Sequence, residues 1–387
     1  MSDLNLNVAM IGPRGCGKTS VLSIMLGELQ NFIDKLNNDE DVKKHCSPKL
    51  DADDFSIRTL HAVYQNLQSI QTRNVLEDGV NVVMGNGDHI IYNIDLSVSG
   101  VSTTVSFHDF PGAYFLPEFQ KHVLPKRLNE CRDVFENADV IILCVDVPSQ
   151  ISNPVSQHKA LYESYTGYIT RLIKDVASTP SANQLRKTVI ILPVKCEGVI
   201  LDTTPGYGDY TQSINQEKND HLYNSVKSLY KDLFTFLEDP NATVNAFYLP
   251  VITMGCVKAK GVEYDENMGA SYIRFEPVIK GYDLKYYQCN STSLTALCLW
   301  SAETIITQKY IASATFWQRT KAFFRGGVWP TQWFRDQLFE ECSLNRILWD
   351  YIRSQPDYEK LSDEAKQYYA ELKAAAEEQP FTGCRLI

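Results

Sequence analysis

The stretch Gly12-Pro13-Arg14-Gly15-Cys16-Gly17-Lys18-Thr19 separates an apolar run, residues 6–11, from a segment with helical periodicity, residues 18–36. Its spacing is GxxxxGK[ST], the pattern of a loop that joins a strand to a helix and binds phosphate. Glycines allow the backbone amides to approach an anion closely, and the start of the following helix adds a positive dipole end. The stretch therefore predicts an α/β fold that begins with a phosphate-binding βα unit.

The pattern assigns a chemical role to most positions of this loop. The Lys18 ammonium would reach the β- and γ-phosphates of a nucleotide, and the Thr19 hydroxyl would coordinate Mg²⁺. The other interpretation is chance occurrence in a glycine-containing turn, which the flanking strand and helix disfavour. The predicted nucleotide-binding residues of the loop are Gly12, Arg14, Gly15, Cys16, Gly17, Lys18, Thr19 and Ser20.

The chain then alternates between apolar strands and amphipathic helices as far as residue 252. Strands covered on both faces are predicted at 140–145, 189–194 and 244–252. Helices are predicted at 117–137, 157–178 and 220–237, and an antiparallel hairpin at 90–98 and 103–108. Because such alternation produces parallel crossovers, we predict a three-layer α/β sandwich of the P-loop NTPase type, with a mainly parallel sheet and one antiparallel hairpin strand.

The predicted hairpin ends at Asp109-Phe110-Pro111-Gly112. At this point the chain resembles the Ras-like (TRAFAC-class) P-loop GTPases, in which a DxxG element follows an antiparallel strand. The resemblance implies that Asp109 holds Mg²⁺ through a water and that the Gly112 amide contacts the γ-phosphate, so that the next segment responds to GTP or GDP. The competing interpretation is a plain turn that ends the strand.

The same resemblance indicates a base-recognition element after the strand at 189–194. The family has [NT]KxD there, whereas this chain has Val194-Lys195-Cys196-Glu197. Lys195 would lie over the purine ring, and Glu197 would accept hydrogen bonds from guanine as the aspartate does. Val194 lacks the polar side chain of the pattern, and an ordinary loop at a strand end is the alternative. A later loop amide, at Thr253, would contact the guanine O6.

Three positions are catalytic candidates under this resemblance. Lys18 and Gly112 would contact the γ-phosphate. A threonine in the long segment before the hairpin would meet both Mg²⁺ and the γ-phosphate, and Thr72 is favoured over Thr59 for this role. A solvated helix or loop threonine is the alternative for each of the two.

The chain departs from the family at the residue that orients the attacking water. Ras-like proteins use a Gln after DxxG, but Ala113 and Tyr114 follow Gly112 in this sequence. We therefore predict slow intrinsic GTP hydrolysis that depends on Mg²⁺. A cis arginine could compensate, although a surface position is the more usual one for each candidate. These candidates are Arg14, Arg58 and Arg73.

The motifs run in order from residue 6 to 255, and an apolar helix predicted at 294–314 would close the domain. We predict a Ras-like GTPase domain at 1–314, with a long switch region at 37–88 and a β-rich insertion at 256–293. A helical C-terminal extension is predicted at 315–387. These enlargements resemble the larger prokaryotic Ras-like GTPases, including the double-GTPase type.

Charge and composition narrow the range of partners. With 37 Lys and Arg against 47 Asp and Glu, the net charge is −10, so nucleic acid is not an expected partner. The sequence starts without a signal peptide and has no apolar run of membrane-spanning length, so a cytoplasmic location is expected. The chain ends in Cys384-Arg385-Leu386-Ile387, which formally matches a CaaX prenylation pattern.

One local segment differs from the acidic average. Residues 312–335 contain four basic residues, seven Phe or Trp residues and no acid. Such a segment suits docking on a protein effector or a membrane surface, and an aromatic helix packed on the domain is the alternative.

These observations together predict a GTP- and GDP-binding molecular switch that uses Mg²⁺ and regulates a partner protein. Two other functions stay open. A P-loop ATPase is favoured by Val194 and Glu197, and a non-hydrolysing nucleotide-bound scaffold is favoured by the missing Gln.

Overall fold

The computed structural model describes 22 stretches or single residues of the chain, with gaps between them. Segment 312–335 and Arg14 lie outside the described residues, and Thr72 and Arg73 are described only in their backbone. The described residues are 4–13, 15–39, 48–73, 88–98, 101–116, 120, 123, 125–152, 159–179, 186–205, 210–239, 241–242, 244–253, 257–265, 270–277, 293–298, 300–301, 340–354, 374, 377, 379 and 382–387.

Strands and helices alternate through the first part of the chain. The strands are β1 (Leu4–Ile11), β2 (Lys49–Ala52), β3 (Ile90–Val98), β4 (Val101–Asp109), β5 (Val140–Asp146), β6 (Lys187–Val194), β7 (Leu201–Pro205), β8 (Tyr210–Ile214), β9 (Val244–Tyr248), β10 (Val257–Asp265), β11 (Ala270–Pro277) and β12 (Arg385–Leu386). The labelled α-helices are α1 (Lys18–Asn38), α2 (Asp54–Arg73), α3 (Pro125–Asn137), α4 (Lys159–Ala177), α5 (Glu197–Ile200), α6 (Gln216–Leu229), α7 (Lys231–Leu237) and α8 (Asn345–Ser354).

The main sheet has eight strands in the order β12-β9-β6-β5-β1-β4-β3-β2. The central strands β9, β6, β5, β1 and β4 pair in parallel, whereas β3 is antiparallel to β4. At the two edges, β2 pairs antiparallel with β3 and β12 pairs antiparallel with β9. The structure thus confirms a mainly parallel α/β sheet with one antiparallel hairpin, and it adds the two edge strands that the sequence pattern did not predict.

Helices cover both faces of this sheet, which explains why its central strands are continuously apolar. In β5 the side chains of Ile142 and Cys144 face a core that includes α1 and α8, whereas Ile141 and Leu143 face a second core. Helices α3, α4, α6 and α7 contribute to the second core. A strand whose alternate residues lie in two separate cores must be apolar throughout. Because helices pack on both faces of the sheet, the arrangement has three layers.

The helix predicted at 117–137 is α3, which begins at Pro125, and two further elements differ in their bounds. The helix predicted at 220–237 is split into α6 and α7 at Tyr230, which is buried between them. The strand predicted at 244–252 ends as β9 at Tyr248, and a single bridge between Val194 and Val251 continues the pairing. Pro250 has no amide hydrogen to donate, so a continuous ladder across it is not available.

Strands and helices also form in the predicted switch region, in the predicted insertion and in the predicted C-terminal extension. The predicted switch region contains β2 and α2, and the predicted insertion contains the antiparallel pair β10–β11. Within the predicted helical extension, α8 is a helix and its Ile347 lies in the first core, but β12 is a strand of the main sheet. A two-residue strand carries no periodicity in sequence, because only its pairing with β9 defines it.

Candidate functional site

The candidate site lies at the carboxyl ends of the parallel strands. The loop after β1 carries Gly12, β4 ends at Asp109, β5 ends at Asp146, and Lys195 follows β6. In a parallel sheet these ends share one edge, where ligands of open α/β folds bind. The sheet therefore brings together residues that are far apart in sequence.

The loop between β1 and α1 has the backbone of an anion-binding turn. Gly15 and Gly17 have φ values of 74° and 99°, a left-handed conformation that favours glycine. The Cys16 amide donates to the Pro13 carbonyl at 3.3 Å, which closes the turn before α1 begins at Lys18. The glycines of the motif are thus explained by this backbone.

Lys18, Thr19 and Asp109 form a buried cluster at the start of α1. The Thr19 hydroxyl donates to Asp109 Oδ2 at 2.8 Å, and Lys18 Nζ lies 3.7 Å from Asp109 Oδ1. Lys18 Nζ also donates to the Gly12 carbonyl at 3.4 Å. Burial alone would lower the pKa of Lys18, but the neighbouring Cys16 and Asp109 outweigh it and the pKa is raised. Lys18 is therefore held as a cation.

The oxygen atoms of this cluster suit a hard cation. Thr19 offers a hydroxyl and Asp109 a carboxylate, in direct contact with each other and next to the loop. Mg²⁺ prefers oxygen ligands and keeps several waters, so one or two protein ligands plus phosphate are typical. Among the described residues, no group of three or more His, Cys, Asp or Glu could hold a metal ion.

A pair of cysteines lies directly beneath the loop. The buried Cys144 thiol of β5 shares a hydrogen bond with Cys16, and this bond lowers the pKa of Cys16. A Cβ atom added at Gly12 would lie 2.6 Å from Cys16 Sγ and 2.9 Å from Cys144 Cβ. Gly12 is therefore required sterically, because the loop passes too close to β5 for any side chain.

The predicted base-recognition residues lie together on the other side of the loop. Lys195 Nζ donates to the Gly15 carbonyl at 2.6 Å, which joins the loop after β6 to the glycine loop between β1 and α1. Glu197 is 4% exposed, and its Oε1 accepts from the Thr253 amide at 2.8 Å and from the Thr253 hydroxyl at 3.0 Å. Val194 is buried and bridges to Val251.

Asp146 is a site residue that the sequence analysis did not assign. It is 2% exposed, and its Oδ1 lies 3.3 Å from Lys195 Nζ. Its position was available in the sequence as the first charged residue after an apolar strand, at the end where ligands bind. What the sequence could not give is the partner, which belongs to the next parallel strand.

The described stretch 110–116, which follows Asp109, contains no glutamine. Gly112 begins a buried 3₁₀ turn, Gly112–Phe115. The Tyr114 hydroxyl lies 3.4 Å from an Arg127 Nη atom, so it is turned toward α3. His108 stacks on His89 with a centroid distance of 5.2 Å, and burial lowers the pKa of His108 to about 4.

Other predicted residues have less structural definition. Thr59 is half-buried and Arg58 exposed, both within the regular helix α2, whose backbone also includes Thr72 and Arg73. Ser20 is half-buried in the first turn of α1. Neither Thr72 nor Arg14 has a described side chain, so their predicted roles stay predictions.

The end of the described chain bears on the CaaX pattern. Cys384 is buried at 8% exposure, and Arg385 and Leu386 pair with Tyr248 and Phe247 in the sheet. Prenylation of Cys384 would require this strand to leave the sheet. Among the helices formed by described residues, none has both the length and the apolar character to cross a membrane.

Comparison with known proteins finds a similarity to a solved structure. The chain is similar to the Ski7 GTPase-like domain of S. cerevisiae, crystallised with GDP and inorganic phosphate, at 14% sequence identity and a TM-score of 0.32. The similarity covers 65% of this chain and 43% of that chain, so this chain spans less than half of its length. No protein-family model and no curated protein matches the sequence.

Proposed function

We propose that this chain is a guanine-nucleotide-binding molecular switch with slow, Mg²⁺-dependent GTP hydrolysis that regulates a partner protein. The observation that carries the proposal is the hydrogen bond from Lys195 Nζ to the Gly15 carbonyl, at 2.6 Å. It joins a loop suited to phosphate with a loop suited to a purine base. A nucleotide that bridges the two loops would contact both Lys18 and Lys195.

The phosphate side of the proposal rests on charge and backbone. Lys18 provides a fixed cation, and the glycine turn with the start of α1 provides amides for phosphate oxygens. Thr19 and Asp109 would hold Mg²⁺. When bound, the ion supplies charge neutralisation on the phosphate oxygens.

The base side rests on Glu197 and Thr253. A buried carboxylate can accept from the N1 and N2 groups of guanine, whereas adenine presents an acceptor at N1, so the carboxylate favours guanine. The hydrogen bonds from Thr253 fix the orientation of Glu197 before a base arrives. Fixing it in advance reduces the entropy that binding must overcome.

A non-hydrolysing scaffold is the second candidate, because of two specific observations. Ala113 occupies a position next to Gly112 where an amide would orient water, and the Tyr114 hydroxyl is turned to Arg127. Slow hydrolysis and no hydrolysis are distinguished by phosphate release from preloaded protein in a single turnover. Release that stays at the rate of free GTP supports the scaffold, and release as fast as an activated GTPase contradicts both candidates.

Nucleotide titration tests the main proposal. Fluorescent GTP, GDP and ATP analogues are titrated with Mg²⁺ or with EDTA, and we expect tighter binding of the guanine nucleotides and a Mg²⁺ dependence for GTP. Lys18→Ala should abolish binding. The matched control is Lys35→Ala, since Lys35 is an exposed lysine on the same helix that pairs with Glu341. Tight ATP binding without GTP binding contradicts the guanine assignment.

A further inference from the structure

Asp146 is a buried carboxylate held rigidly at the end of β5. Its Oδ2 accepts from the Ser149 hydroxyl at 2.5 Å, and its own amide donates to Gln150 Oε1 at 2.9 Å. The Gln150 amide group in turn donates to the Tyr230 hydroxyl at 3.3 Å. These contacts fix both the backbone and the side chain of Asp146, so the direction of its second oxygen is set.

The second oxygen faces Lys195. Oδ1 is buried and has no hydrogen-bond partner among the described residues, but it lies 3.3 Å from Lys195 Nζ. The same Nζ donates to the Gly15 carbonyl at 2.6 Å. A buried carboxylate needs a compensating charge, and the Lys195 ammonium supplies it. Asp146, Lys195 and Gly15 thus form a chain of contacts from β5 to the phosphate-binding loop.

The residue before Lys195 offers no polar side chain to this chain of contacts. Val194, which precedes Lys195, is 1% exposed and can make only apolar contacts. Lys195 itself has φ of 57°, a left-handed conformation uncommon for a residue with a side chain. A free lysine side chain also loses conformational entropy when it is fixed. A rigid carboxylate next to Nζ offsets these costs.

We propose that Asp146 is a positioning residue for nucleotide binding. It holds the Lys195 ammonium against the Gly15 carbonyl, so that the phosphate-binding loop and the base-side loop act as one preorganised surface. The inference rests on the proposed function, because it concerns the same site. It adds a role for a residue that is not expected to touch the nucleotide.

The test is a double-mutant cycle read by the dissociation rate of mant-GDP. Asp146→Asn keeps the shape and removes the charge, and Lys195→Met keeps the stem and removes the ammonium. We expect each single variant to release mant-GDP about thirtyfold faster or more, because truncating one partner of a buried, hydrogen-bonded charge pair acts mainly on the dissociation rate. In the Lys195→Met background, adding Asp146→Asn should change the rate less than twofold, because its partner is already absent.

Asp139→Asn is the matched control. Asp139 is also a buried aspartate, but it precedes β5 at the opposite end, where its Oδ2 accepts from the Asn7 amide at 3.0 Å. It should lower the melting temperature and leave the mant-GDP rate unchanged. If Asp146→Asn fails to fold, Ser149→Ala serves instead. It keeps the charge but loosens the carboxylate, and should speed release two- to threefold.

Two outcomes overturn the inference, and they differ from failure of the proposed function. Asp146→Asn could release mant-GDP at the wild-type rate, or it could speed release equally in both backgrounds, which would indicate a general structural role. Wild-type protein that binds no mant-GDP at all would instead contradict the proposed function, and the inference with it.

Discussion

The two ends of strands β5 and β6 carry the same kinds of charged side chain, a lysine and an aspartate, but these make different contacts at the two ends. At the amino ends, Lys187 and Asp139 are bound mainly to backbone. Lys187 Nζ donates to the carbonyls of Glu136 and Ala138 at 2.7 and 2.8 Å, and Asp139 accepts from the Asn7 amide. These contacts connect the end of α3 to the sheet and stabilise the fold.

At the carboxyl ends, the lysines and aspartates contact each other and a glycine loop. Lys195 lies between Asp146 and the Gly15 carbonyl, and Lys18 lies between Asp109 and the Gly12 carbonyl. At this end the lysines contact carboxylate side chains and loop carbonyls, whereas at the amino ends the lysine and the aspartate contact backbone groups. The difference teaches that burial of a charged pair does not by itself indicate a site, whereas placement beside a glycine loop at the carboxyl edge of the sheet makes the pair a candidate.

The largest expected effect is on nucleotide affinity, and it comes from the close approach of Gly12 to strand β5. Gly12→Ala should weaken mant-GDP binding about a hundredfold, since strain of about 3 kcal/mol is typical for inserting atoms into a closed space. The new Cβ would contact Cys16 Sγ and Cys144 Cβ, which are both buried. Equilibrium binding measures the effect.

Gly167→Ala is the control for that substitution. No atom lies within 4 Å of a Cβ added at Gly167, in the exposed part of α4. It should leave binding unchanged and raise the free energy of unfolding by about 0.5–1 kcal/mol. A Gly12→Ala protein with wild-type affinity would show that the loop can move away from β5.

The next largest effect is expected at the amino end of β6, where Lys187 should make the free energy of unfolding depend on pH. Burial lowers the pKa of Lys187 from 10.5 to about 8. Between these values the unfolded chain binds a proton that the folded chain has lost, so the free energy of unfolding rises with pH. Relative to Lys187→Met, the wild type should gain about 2–3 kcal/mol between pH 7.5 and 10.

Urea denaturation at several pH values measures this gain. Lys126→Met, at an exposed position on α3, is the control and should show no such gain. Nucleotide affinity at pH 7.5 should be the same in wild type and Lys187→Met. A difference in stability that stays constant with pH would mean that Lys187 is not desolvated in the folded state.

A smaller effect is expected at the base-side loop. Glu197→Ala should weaken mant-GDP binding about tenfold and leave ATP binding unchanged, because a carboxylate that discriminates bases contributes on the order of 1–3 kcal/mol. Glu197→Asp should retain guanine preference, since it keeps the carboxylate. Equal losses for GDP and ATP would assign Glu197 a purely structural contact with Thr253.

The smallest expected effect is on the rate of phosphate release, and it concerns Tyr114, which follows the Asp109–Gly112 segment. Tyr114→Phe removes only the hydroxyl that faces Arg127. The exposed Arg127 also pairs with Asp88, so little stability should be lost. Single-turnover phosphate release should change less than twofold. A tenfold decrease would place the Tyr114 hydroxyl at the attacking water after all.

Prediction of strands from the sequence succeeded where the strand is marked by an apolar periodicity. It failed where only pairing with another strand defines the element. The apolar runs gave β5 and β6 within two residues of their bounds, because both faces of these strands are covered. The motif placed Lys18, Thr19 and Asp109, and the structure brings the three together. The edge strand β12 was predicted as helical, because two residues have no period and only their pairing with β9 makes them a strand.

The sequence by itself determined the α/β fold and the glycine loop between β1 and α1, because periodicity and glycine spacing are local properties of the chain. Only the tertiary structure decided that Asp146 is the partner of Lys195, and that Glu197 is held by Thr253. These residues are 49 and 56 positions apart, and their contacts exist because parallel strands end at the same edge of one sheet.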